Sequence, residues 1–348
     1  MRIVIIGASG NVGTALLRRL AREDGHEVVG VSRNPPEDLS GTYGTAQWHA
    51  LDIGAEEDTE ALRAVVRGAD AVVHAAWLIQ PSRDPAELGR VNLGGTRRLV
   101  AAVLAEGVPH LVHLSSVGAY APHPTDDSVV DESWPTRGIG ASRYSHEKAV
   151  LEAELDVVER DNPGLVVSRV RPALVFQHDA GSEIARYFVG ALAPVRFVRS
   201  VHLPALPLPW GLRFQVVHAD DLADAITRIV ERTAPGAFNV ADEPVLGGRD
   251  LARALGAARP VGISRHLARA LVAATYRARV HPVHEGWLDL GLGVPRMSTG
   301  RARRELGWAP AHAAFDVLAE LLDGMRSHAG TESPVLRSRR AVKDRTGP

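Results

Sequence analysis

The sequence of 348 residues contains no cysteine. Disulfides, thiolate metal sites and a cysteine nucleophile are therefore excluded. No apolar run approaches the roughly 20 residues of a membrane-spanning helix, and the N-terminal run in MRIVIIG is too short for a signal peptide. The net charge of −1 provides no basic stripe for nucleic-acid binding. We therefore expect a cytoplasmic globular protein with a small-molecule substrate and no nucleic-acid or membrane partner.

Lysine is also scarce. Arginine occupies nearly all of the 40 basic positions, and only Lys148 and Lys343 are lysines. Lys148 lies in ASRYSHEKAV, four residues after Tyr144. Lysine carries a compact ammonium with three rotatable donors, whereas arginine carries a planar fork. A lysine at this position in an arginine-rich chain therefore suggests that the site requires an ammonium group.

Histidine is abundant, but its spacing does not favour a metal site. The best cluster is HPVHE at 281–285, where His281 and His284 are three residues apart. A proline between them breaks the helix that would present both rings on one face. We therefore expect ordinary surface histidines here and no metal.

The first half of the chain alternates short β-rich runs with helical patterns. The strand-like runs are RIVIIG, HEVVGVS, ADAVVHAA, HLVHLSS and GLVVSRVRP, with the helical NVGTALLRRLARE between the first two. This order predicts a doubly wound parallel α/β sheet with helices on both faces. We expect residues 1–173, completed by about 213–241, to form this domain. Residues 174–212 and 242–328 are expected to form a smaller lobe, and the polar, basic residues 329–348 a disordered tail.

A glycine-rich loop, GASGNVG at residues 7–13, follows the first predicted strand and opens a predicted helix. Glycines at this spacing allow a tight turn and a close approach of the backbone to a pyrophosphate, which the helix N-terminus then binds. A purely structural turn is the alternative. The residues predicted to contact a dinucleotide here are Gly7, Ser9, Gly10, Asn11, Val12 and Gly13.

The end of the second predicted strand indicates which dinucleotide binds. An acidic residue at this point binds the 2′-hydroxyl of NAD, whereas an arginine suits the 2′-phosphate of NADP. Ser32 and Arg33 occupy it, so the sequence favours NADP(H); NAD(H) stays open because a surface arginine is the alternative. Asp52, followed by Ile53 after the next strand, is a candidate acceptor for the adenine amino group. A loop or capping aspartate is the alternative.

Tyr144 and Lys148 are the candidate reactive pair. Positions i and i+4 share one face of a helix, so the phenol and the ammonium can reach one site. A free phenol has a pKa of about 10, which a nearby positive charge lowers. The phenol can then exchange a proton with a carbinol or carbonyl while a nicotinamide exchanges hydride. The alternative is an ordinary exposed helix pair.

Further candidates end the neighbouring predicted strands. Ser115 and Ser116 close the strand before that helix, so a hydroxyl there can hydrogen-bond the reacting oxygen. A serine that satisfies backbone groups is the alternative. The carboxyl ends of parallel strands lie on one rim, where ligands bind in open α/β sheets. The same rim is predicted to bring cofactor contacts from His74, Ala75, Ala76, Arg171 and Pro172.

The chain resembles the extended short-chain dehydrogenase/reductase family, also called the NAD-dependent epimerase/dehydratases, over about residues 1–325. The likeness rests on GASGNVG, LDI, VVHAA, VNLGGT, LSSVGAY, YSHEK, SRVRP, VVHADDLADAI, FNV and ELGWAP. It implies an NAD(P)-dependent enzyme with a Rossmann-type sheet and a smaller C-terminal substrate-binding lobe. By motif, Tyr144 would be the acid/base, Lys148 would bind the nicotinamide ribose, and Ser116 would contact the substrate oxygen. Asn92 would support the cofactor site.

Two departures from the family concern the substrate. Sugar-nucleotide members usually carry an Asn-containing turn after the Arg-Pro strand and, further on, a Gly-Asp-Gly segment with an arginine. RPALVFQHDAGSE and LPALPLPWGLRFQ replace them here, which argues against a UDP- or dTDP-sugar. Family members often form homodimers through a helix pair, here residues 85–106 and 141–160. The candidates for the substrate wall are Trp77, Ser115, Tyr120, His178, Trp210 and Arg213.

Three functions stay open from the sequence. The first is net oxidation or reduction at a secondary alcohol or ketone carbon of a small, partly apolar compound. The second is a redox-neutral nucleotide-sugar epimerase or dehydratase that keeps its cofactor bound. The third is a non-catalytic dinucleotide sensor. Ser116, Tyr144 and Lys148 argue against the sensor, because a sensor needs no acid/base group.

Overall fold

Seven parallel strands form the central sheet of the computed structural model, which describes residues 1–79, 84–189, 203–281 and 283–338. The strands of the chain are β1 (Arg2–Ile6), β2 (Glu27–Ser32), β3 (Gln47–Ala50), β4 (Ala71–His74), β5 (His110–Leu114), β6 (Val166–Pro172), β7 (Leu174–Phe176), β8 (Leu206–Pro209), β9 (Arg213–Phe214), β10 (Val216–His218), β11 (Gly236–Val240), β12 (Leu246–Gly247) and β13 (Pro260–Ile263). The order across the sheet is β11-β6-β5-β4-β1-β2-β3. The chain reverses its direction of travel between β3 and β4, which confirms the predicted doubly wound α/β fold.

Helices cover both faces of the sheet. They are α1 (Asn11–Leu20), α2 (Thr59–Val66), α3 (Pro85–Gly89), α4 (Thr96–Ala105), α5 (Arg143–Asp161), α6 (Gly181–Ile184), α7 (Ala219–Arg232), α8 (Gly248–Ala254), α9 (Arg265–Arg277), α10 (Glu285–Gly293), α11 (Gly300–Leu306) and α12 (Ala314–Ser327). A π-helical turn, Arg90–Gly95, joins α3 to α4, and a second one, Ala185–Val189, follows α6. Such turns often mark functional sites. In the part of the chain that the structure describes, no helix is long and apolar enough to cross a membrane.

Two apolar clusters hold the helices against the sheet. On one face, Leu16 of α1 and Ile226 of α7 pack in the cluster that contains Ile3 and Ile5. On the other face, α2, α4 and α5 pack in the cluster that contains Val4. Successive side chains of a strand point to opposite faces. Because helices cover both faces, β1 is apolar from Ile3 to Ile6, as buried parallel strands are.

The segments outside the sheet form short strand pairs and a third apolar cluster. β7 pairs with β10, β8 with β13, and β9 with β12. Helix α12 joins this cluster through Val317, Leu318 and Leu321. Residues 213–241 were predicted to complete the main sheet, and β11 does so beside β6. β10 instead pairs with β7. Strand β7 follows β6 directly in the chain and lies outside the seven-stranded sheet.

Residues 329–338 pack on the protein, so the prediction of a disordered tail is wrong for this part. Ser333 and Leu336 are completely buried. Ser333 Oγ donates a hydrogen bond to the Ser9 carbonyl oxygen at 2.5 Å. The polar composition of the segment did not predict this contact, because the groups that anchor it are a serine hydroxyl and one leucine side chain. Residues 339–348 lie outside the described residues.

Candidate active site

A cavity of about 1080 Å³ lies at the carboxyl ends of the parallel strands. Open α/β sheets bind ligands at this edge, beside the point where the strand order reverses. The residues predicted from sequence that line it are Gly7, Ser9, Gly10, Asn11, Val12, Ser32, Arg33, Asp52, Ile53, Ala75, Ala76, Trp77, Ser115, Ser116, Tyr144, Lys148, Pro172 and Arg213. The cavity therefore joins the glycine-rich loop to the candidate serine, tyrosine and lysine.

Close backbone approaches shape the glycine-rich loop. Gly7 has a φ of +90°, and a Cβ there would lie 2.6 Å from the Ala76 nitrogen. A Cβ on Gly13 would lie 2.2 Å from the Gly7 carbonyl oxygen. Gly13 does not line the cavity, and the absence of a side chain there allows α1 to pack against the loop. Gly10 precedes α1 and has no side chain to cap it, so the first amide groups of the helix fit the pyrophosphate of a dinucleotide.

The residues that follow β2 and β3 form one end of the cavity. Ser32 Oγ is buried there and finds no hydrogen-bond partner among the described residues. Such an atom fits a polar group of the adenosine ribose, because buried polar groups are normally paired. Arg33 is exposed at the same edge. The Asp52 carboxylate accepts from the Gly54 amide at 2.8 Å and from the Arg90 guanidinium at 3.1 Å, so it also organises its own loop.

Tyr144 lies in the first turn of α5, with two tryptophans beside its ring. The ring centroids of Trp77 and Trp287 are 5.9 and 5.2 Å from its own. Burial raises the pKa of the Tyr144 phenol above its ordinary value, and a hydrogen bond with the Ser116 side chain opposes this effect. The Ser116 hydroxyl oxygen also accepts from the Gly118 amide at 2.9 Å. The structure thus brings Ser116 and Tyr144 together.

Lys148 is almost completely buried on α5. Its Nζ donates to the Leu114 carbonyl oxygen at 2.7 Å and lies 3.5 Å from the Trp77 ring centroid. Burial lowers the pKa of this ammonium to about 7, although Glu152 and Glu147 raise it. The sequence predicted a fixed charge that lowers the tyrosine pKa. Burial instead favours the neutral form of both the amine and the phenol.

Asn92 and His74 lie behind the cavity wall rather than in it. Asn92, in the π-helical turn before α4, accepts from the Leu78 amide at 2.9 Å and donates to Glu147 at 3.1 Å. It thereby ties the loop after β4 to α5. His74 Nε2 is 2.8 Å from the Thr96 hydroxyl, and burial is the main cause that lowers the histidine pKa to about 3. His74 is therefore a neutral residue beneath the site.

Arg171 and Tyr120, predicted at the rim and in the substrate wall, do not line the cavity. Arg171 forms a two-pronged ion pair with the Glu152 carboxylate at 2.8 and 2.9 Å. Its guanidinium also donates to the Tyr120 hydroxyl at 3.0 Å, and that hydroxyl donates to Asn239 at 2.7 Å. A buried carboxylate requires such a partner, which turns Arg171 away from the cavity. Burial raises the pKa of Tyr120 to about 12.

His178 and Trp210 also lie outside the cavity lining, although their loops were expected to face the pocket. His178 Nε2 is 3.7 Å from the Asp323 carboxylate, and the His178 amide donates to Glu320 at 3.0 Å. The contacts with α12 therefore hold His178 at the surface. Trp210 is 71% exposed, and its ring covers Gly262 of β13.

Most of the cavity wall near Trp287 is apolar, and the sequence did not predict it. The Trp287 ring contacts Phe188, with 5.3 Å between the centroids. Segments far apart in the chain supply the rest of this wall, so periodicity and motifs hold no signal for it. Its other apolar residues include Phe176, Tyr187, Phe214, Val272, Val283, Leu288, Leu290 and Val294.

Charged side chains interrupt this apolar wall. Glu183 on α6 is buried, and burial raises its pKa to about 7, with Arg186 opposing the shift. Arg213 and Arg296 both line the cavity, and both pair with Asp127. Two arginines that share one aspartate leave a positive charge in excess at this point. The sequence singled out only Arg213 of these residues.

The sheet, the glycine-rich loop and the Ser–Tyr–Lys group together define a dinucleotide-binding α/β protein of the short-chain dehydrogenase/reductase type. The model of the NAD dependent epimerase/dehydratase family matches residues 3–241, and the chain belongs to this enzyme family.

Two curated proteins and one solved structure are similar to the chain over most of its length. A UDP-glucose 4-epimerase of Mycolicibacterium smegmatis is 28% identical over 341 residues, which cover 94% of this chain and 99% of that protein. An uncharacterized protein of Mycobacterium bovis is 28% identical over 334 residues, 95% of this chain but 31% of that longer relative. The structure of Thermus thermophilus UDP-glucose 4-epimerase with NAD has a TM-score of 0.67 at 20% identity, covering 94% and 99% of the two chains. At this identity, the structural likeness shows the fold alone.

Proposed function

We propose that the chain is an NAD(P)-dependent enzyme that exchanges hydride at a secondary alcohol or ketone carbon, with Tyr144 as the acid/base. One observation carries this proposal: Ser116, Tyr144 and Lys148 line the same cavity as the glycine-rich loop. A nicotinamide cofactor supplies the hydride acceptor or donor when bound. The protein itself must then orient the substrate oxygen and move its proton.

Each residue of this group has contacts that suit a separate role. The Ser116 hydroxyl hydrogen-bonds the substrate oxygen beside the phenol, and Tyr144 transfers the proton. The buried Lys148 amine offers donors to ribose hydroxyls. Trp77 and Trp287 flank the Tyr144 ring and exclude water from the phenol, which strengthens the electrostatic interactions around it.

The raised pKa of Tyr144 bears on the direction of the reaction. A neutral phenol is ready to donate its proton to the oxygen of a carbonyl that is being reduced. Oxidation of an alcohol requires the phenolate, which a protonated Lys148 favours. We therefore propose that reduction is fastest at a lower pH than oxidation.

The first candidate substrate is a small, partly apolar carbonyl compound or its alcohol. Aromatic and aliphatic side chains supply most of the wall around Trp287. Such a wall favours apolar ligands, because binding removes their apolar surface from water. Glu183, whose raised pKa favours the protonated form, offers a polar contact that can donate or accept a hydrogen bond.

The second candidate is a redox-neutral nucleotide-sugar epimerase or dehydratase, and Arg213 with Arg296 favours it. Both guanidinium groups line the cavity and share Asp127, so they can bind a diphosphate. The UDP-glucose 4-epimerase relative, which the chain matches over nearly its full length, also supports this candidate. Such an enzyme would retain its cofactor and return the hydride.

A substrate panel separates the two candidates. Purified protein with NADP(H) or NAD(H) is mixed with sugar nucleotides and with apolar alcohols and ketones, while nicotinamide absorbance and product mass are followed. A net absorbance change with apolar compounds supports the oxidoreductase. An isomeric or dehydrated sugar nucleotide without net absorbance change supports the second candidate. Silence in both channels from protein that binds the dinucleotide supports neither candidate and leaves a substrate outside the panel or a sensor.

We further propose a homodimer through the helices at residues 85–106 and 141–160. Leu104 on α4 and Val157 on α5 are exposed apolar side chains on these helices, and pairing would remove them from water. Sedimentation velocity at micromolar concentration tests this proposal, and a monomer there would contradict it.

A further inference from the structure

The C-terminal segment 329–338 crosses the dinucleotide end of the cavity. Pro334, Val335 and Arg337 line the same space as the glycine-rich loop. The buried Ser333 and Leu336 fix the segment to the protein. A part of the chain that has the composition of a free tail therefore forms part of the wall.

On one side, this segment holds the glycine-rich loop and the helix that follows it. Ser333 Oγ donates to the Ser9 carbonyl oxygen at 2.5 Å. The Thr331 and Tyr43 hydroxyls are 2.6 Å apart, and the Tyr43 hydroxyl is 3.3 Å from that of Thr14 on α1. The backbone that fits a pyrophosphate is thus positioned in part by residues more than three hundred positions away in the chain.

On the other side, the π-helical turn after α6 holds the same segment. The Arg186 guanidinium donates to the carbonyl oxygens of Val335 at 2.5 Å and Arg337 at 3.0 Å. Arg186 lies two residues before Phe188 of the apolar wall. The segment therefore bridges the glycine-rich loop and the part of the protein that forms the substrate wall.

The Arg337 side chain lies at the adenosine end of the cavity. This side chain is 20% exposed. Its Nη2 lies 3.9 Å from Oε1 of its carboxylate partner Glu37, whose side chain is 65% exposed. Glu37 follows Arg33 by four residues, after the end of β2. Arg33, early in the sequence, and Arg337, late in it, thus lie at the same end of the cavity. The Glu37 carboxylate competes with a bound phosphate for Arg337.

We propose that Arg337 recognises the adenosine 2′-phosphate of NADP(H) together with Arg33, and that the C-terminal segment is part of the dinucleotide site. The inference rests on the proposed dinucleotide-dependent function. The arginine fork binds phosphate with two parallel hydrogen bonds. A phosphate dianion attracts Arg337 more strongly than an exposed carboxylate at 3.9 Å does. Two arginines would then determine the preference for NADP over NAD.

Nucleotide binding by the purified full chain tests this inference without any substrate. Calorimetry gives the affinities for NADP⁺ and NAD⁺ of the wild type, Arg337→Ala and Arg33→Ala. Arg232→Ala is the matched control, because Arg232 is exposed in the last turn of α7 and does not line the cavity. We expect Arg337→Ala to lower the NADP⁺ affinity about 10- to 100-fold and to leave the NAD⁺ affinity nearly unchanged.

Two further variants separate phosphate recognition from support of the loop. Ser333→Ala should lower both affinities equally, because Ser9 belongs to the loop that fits the pyrophosphate common to both nucleotides. Glu37→Gln should raise the NADP⁺ affinity alone, because it removes the carboxylate that competes for Arg337 and repels the phosphate.

The outcomes are distinguishable. An unchanged NADP⁺ affinity in Arg337→Ala would overturn the inference, and so would an equal loss for the two nucleotides. Wild-type protein that binds NAD⁺ but not NADP⁺ would overturn the inference and leave the proposed function intact. Binding of neither nucleotide would contradict the proposed function itself. Circular dichroism monitors folding. If Arg337→Ala fails to fold, Arg337→Gln, which removes the charge but keeps part of the aliphatic stem, provides the same comparison.

Discussion

Burial affects the ionisable groups of the cavity more strongly than their charged neighbours do. It lowers the pKa of Lys148 to about 7, raises that of Glu183 to about 7, and raises that of Tyr144. Each shift favours the neutral form, as expected in a largely apolar cavity. A ligand that brings charge into this cavity therefore changes the protonation of these groups.

Replacing the phenol tests the acid/base role most directly. Tyr144→Phe should lower turnover about 10²- to 10⁴-fold, because proton transfer to the substrate oxygen is lost. Dinucleotide affinity should stay nearly unchanged, and calorimetry measures it beside the rate. Tyr276→Phe on α9 is the matched control, since Tyr276 does not line the cavity. Turnover that survives in Tyr144→Phe would remove this residue from the mechanism.

Lys148→Met should stabilise the protein near neutral pH, although it weakens dinucleotide binding. The pKa of Lys148 is about 7 in the folded protein, against 10.5 ordinarily. Between these values the unfolded chain binds a proton that the folded chain does not, so wild-type stability rises with pH through this window. The full cost of burying the ammonium applies below it. Thermal unfolding should show a gain of a few degrees at pH ~6.5 that shrinks towards pH ~10. A gain independent of pH would contradict the assigned cause.

Glu183→Gln should give the opposite pH dependence. Its pKa is about 7 in the folded protein, against 4.5 ordinarily. Wild-type stability therefore falls as the pH rises from the lower value through the higher one, because a charge must then be buried. The variant should melt higher than the wild type at pH ~8.5 and equally at pH ~4.5. Glu60→Gln, at an exposed surface position, should show no such difference. An equal gain in both buffers would rule out titration of this carboxyl.

Residue types predicted which groups meet but not how they ionise. Ser116, Tyr144 and Lys148 follow from motif and helical spacing, and all three line the cavity. The direction of their pKa shifts depends on burial, which only the folded chain defines. Arg171 shows the same limit. Its ion pair with Glu152, which precedes it by 19 residues and lies on α5, turns the guanidinium away from the rim.

At the scale of secondary-structure elements, the glycine-rich loop and α1 make the closest backbone contact of the site. A Cβ on Gly13 would meet the Gly7 carbonyl oxygen and the Ala8 backbone within 2.7 Å. The backbone must shift to admit a side chain, and this shift opens the surface that fits the pyrophosphate. The element therefore depends on glycine for packing as well as for ligand approach.

Gly13→Ala should consequently weaken both NAD⁺ and NADP⁺ binding by at least about tenfold and destabilise the fold by about 1–3 kcal/mol. Calorimetry and denaturant unfolding measure the two effects. Gly164→Ala is the control, because nothing lies within 4 Å of a Cβ at that glycine. Normal affinity and stability in Gly13→Ala would show that α1 can move away from the loop without cost.

Strands and helices with a regular apolar pattern were predictable from sequence. Segments whose position depends on contacts with residues elsewhere in the chain were not. Apolar runs and helical periodicity located β1, β2, β4, β5 and β6 and the helices α1, α4 and α5, but they did not indicate α2. β10 pairs away from the main sheet because its partner, β7, extends beyond that sheet. The C-terminal segment 329–338 carries no period, and its position depends on single hydrogen bonds such as that from Ser333 to Ser9.

At the scale of the whole molecule, the cavity combines a predictable half with an unpredictable one. The dinucleotide half lies on the strand ends that the α/β order defines. The other half, which we propose as the substrate site, is assembled from α6, α10 and described segments between them, including Phe188 and Trp287, whose contact no local pattern specifies. The family model likewise ends at residue 241, before the α10 part of this wall. Membership of a nicotinamide-dinucleotide-dependent family was therefore predictable from sequence, whereas the identity of the substrate was not.

The scarcity of lysine gives the buried amine a further consequence. Lys148 and Lys343 are the only lysines of the chain, and a pKa of about 7 leaves much of the Lys148 amine unprotonated at neutral pH. A small acylating reagent that enters the cavity should label Lys148 at a rate already close to its maximum at pH ~8, whereas the rate for an ordinary lysine of pKa ~10.4 keeps rising to pH ~10. Mass spectrometry reads the label, with Lys343 as the internal comparison, and bound dinucleotide should protect Lys148. Burial reduces the absolute rate, so the pH dependence is decisive: a Lys148 labelling rate that keeps rising up to pH ~10 would contradict the lowered pKa. The chain would thus carry its own covalent reporter of cofactor occupancy.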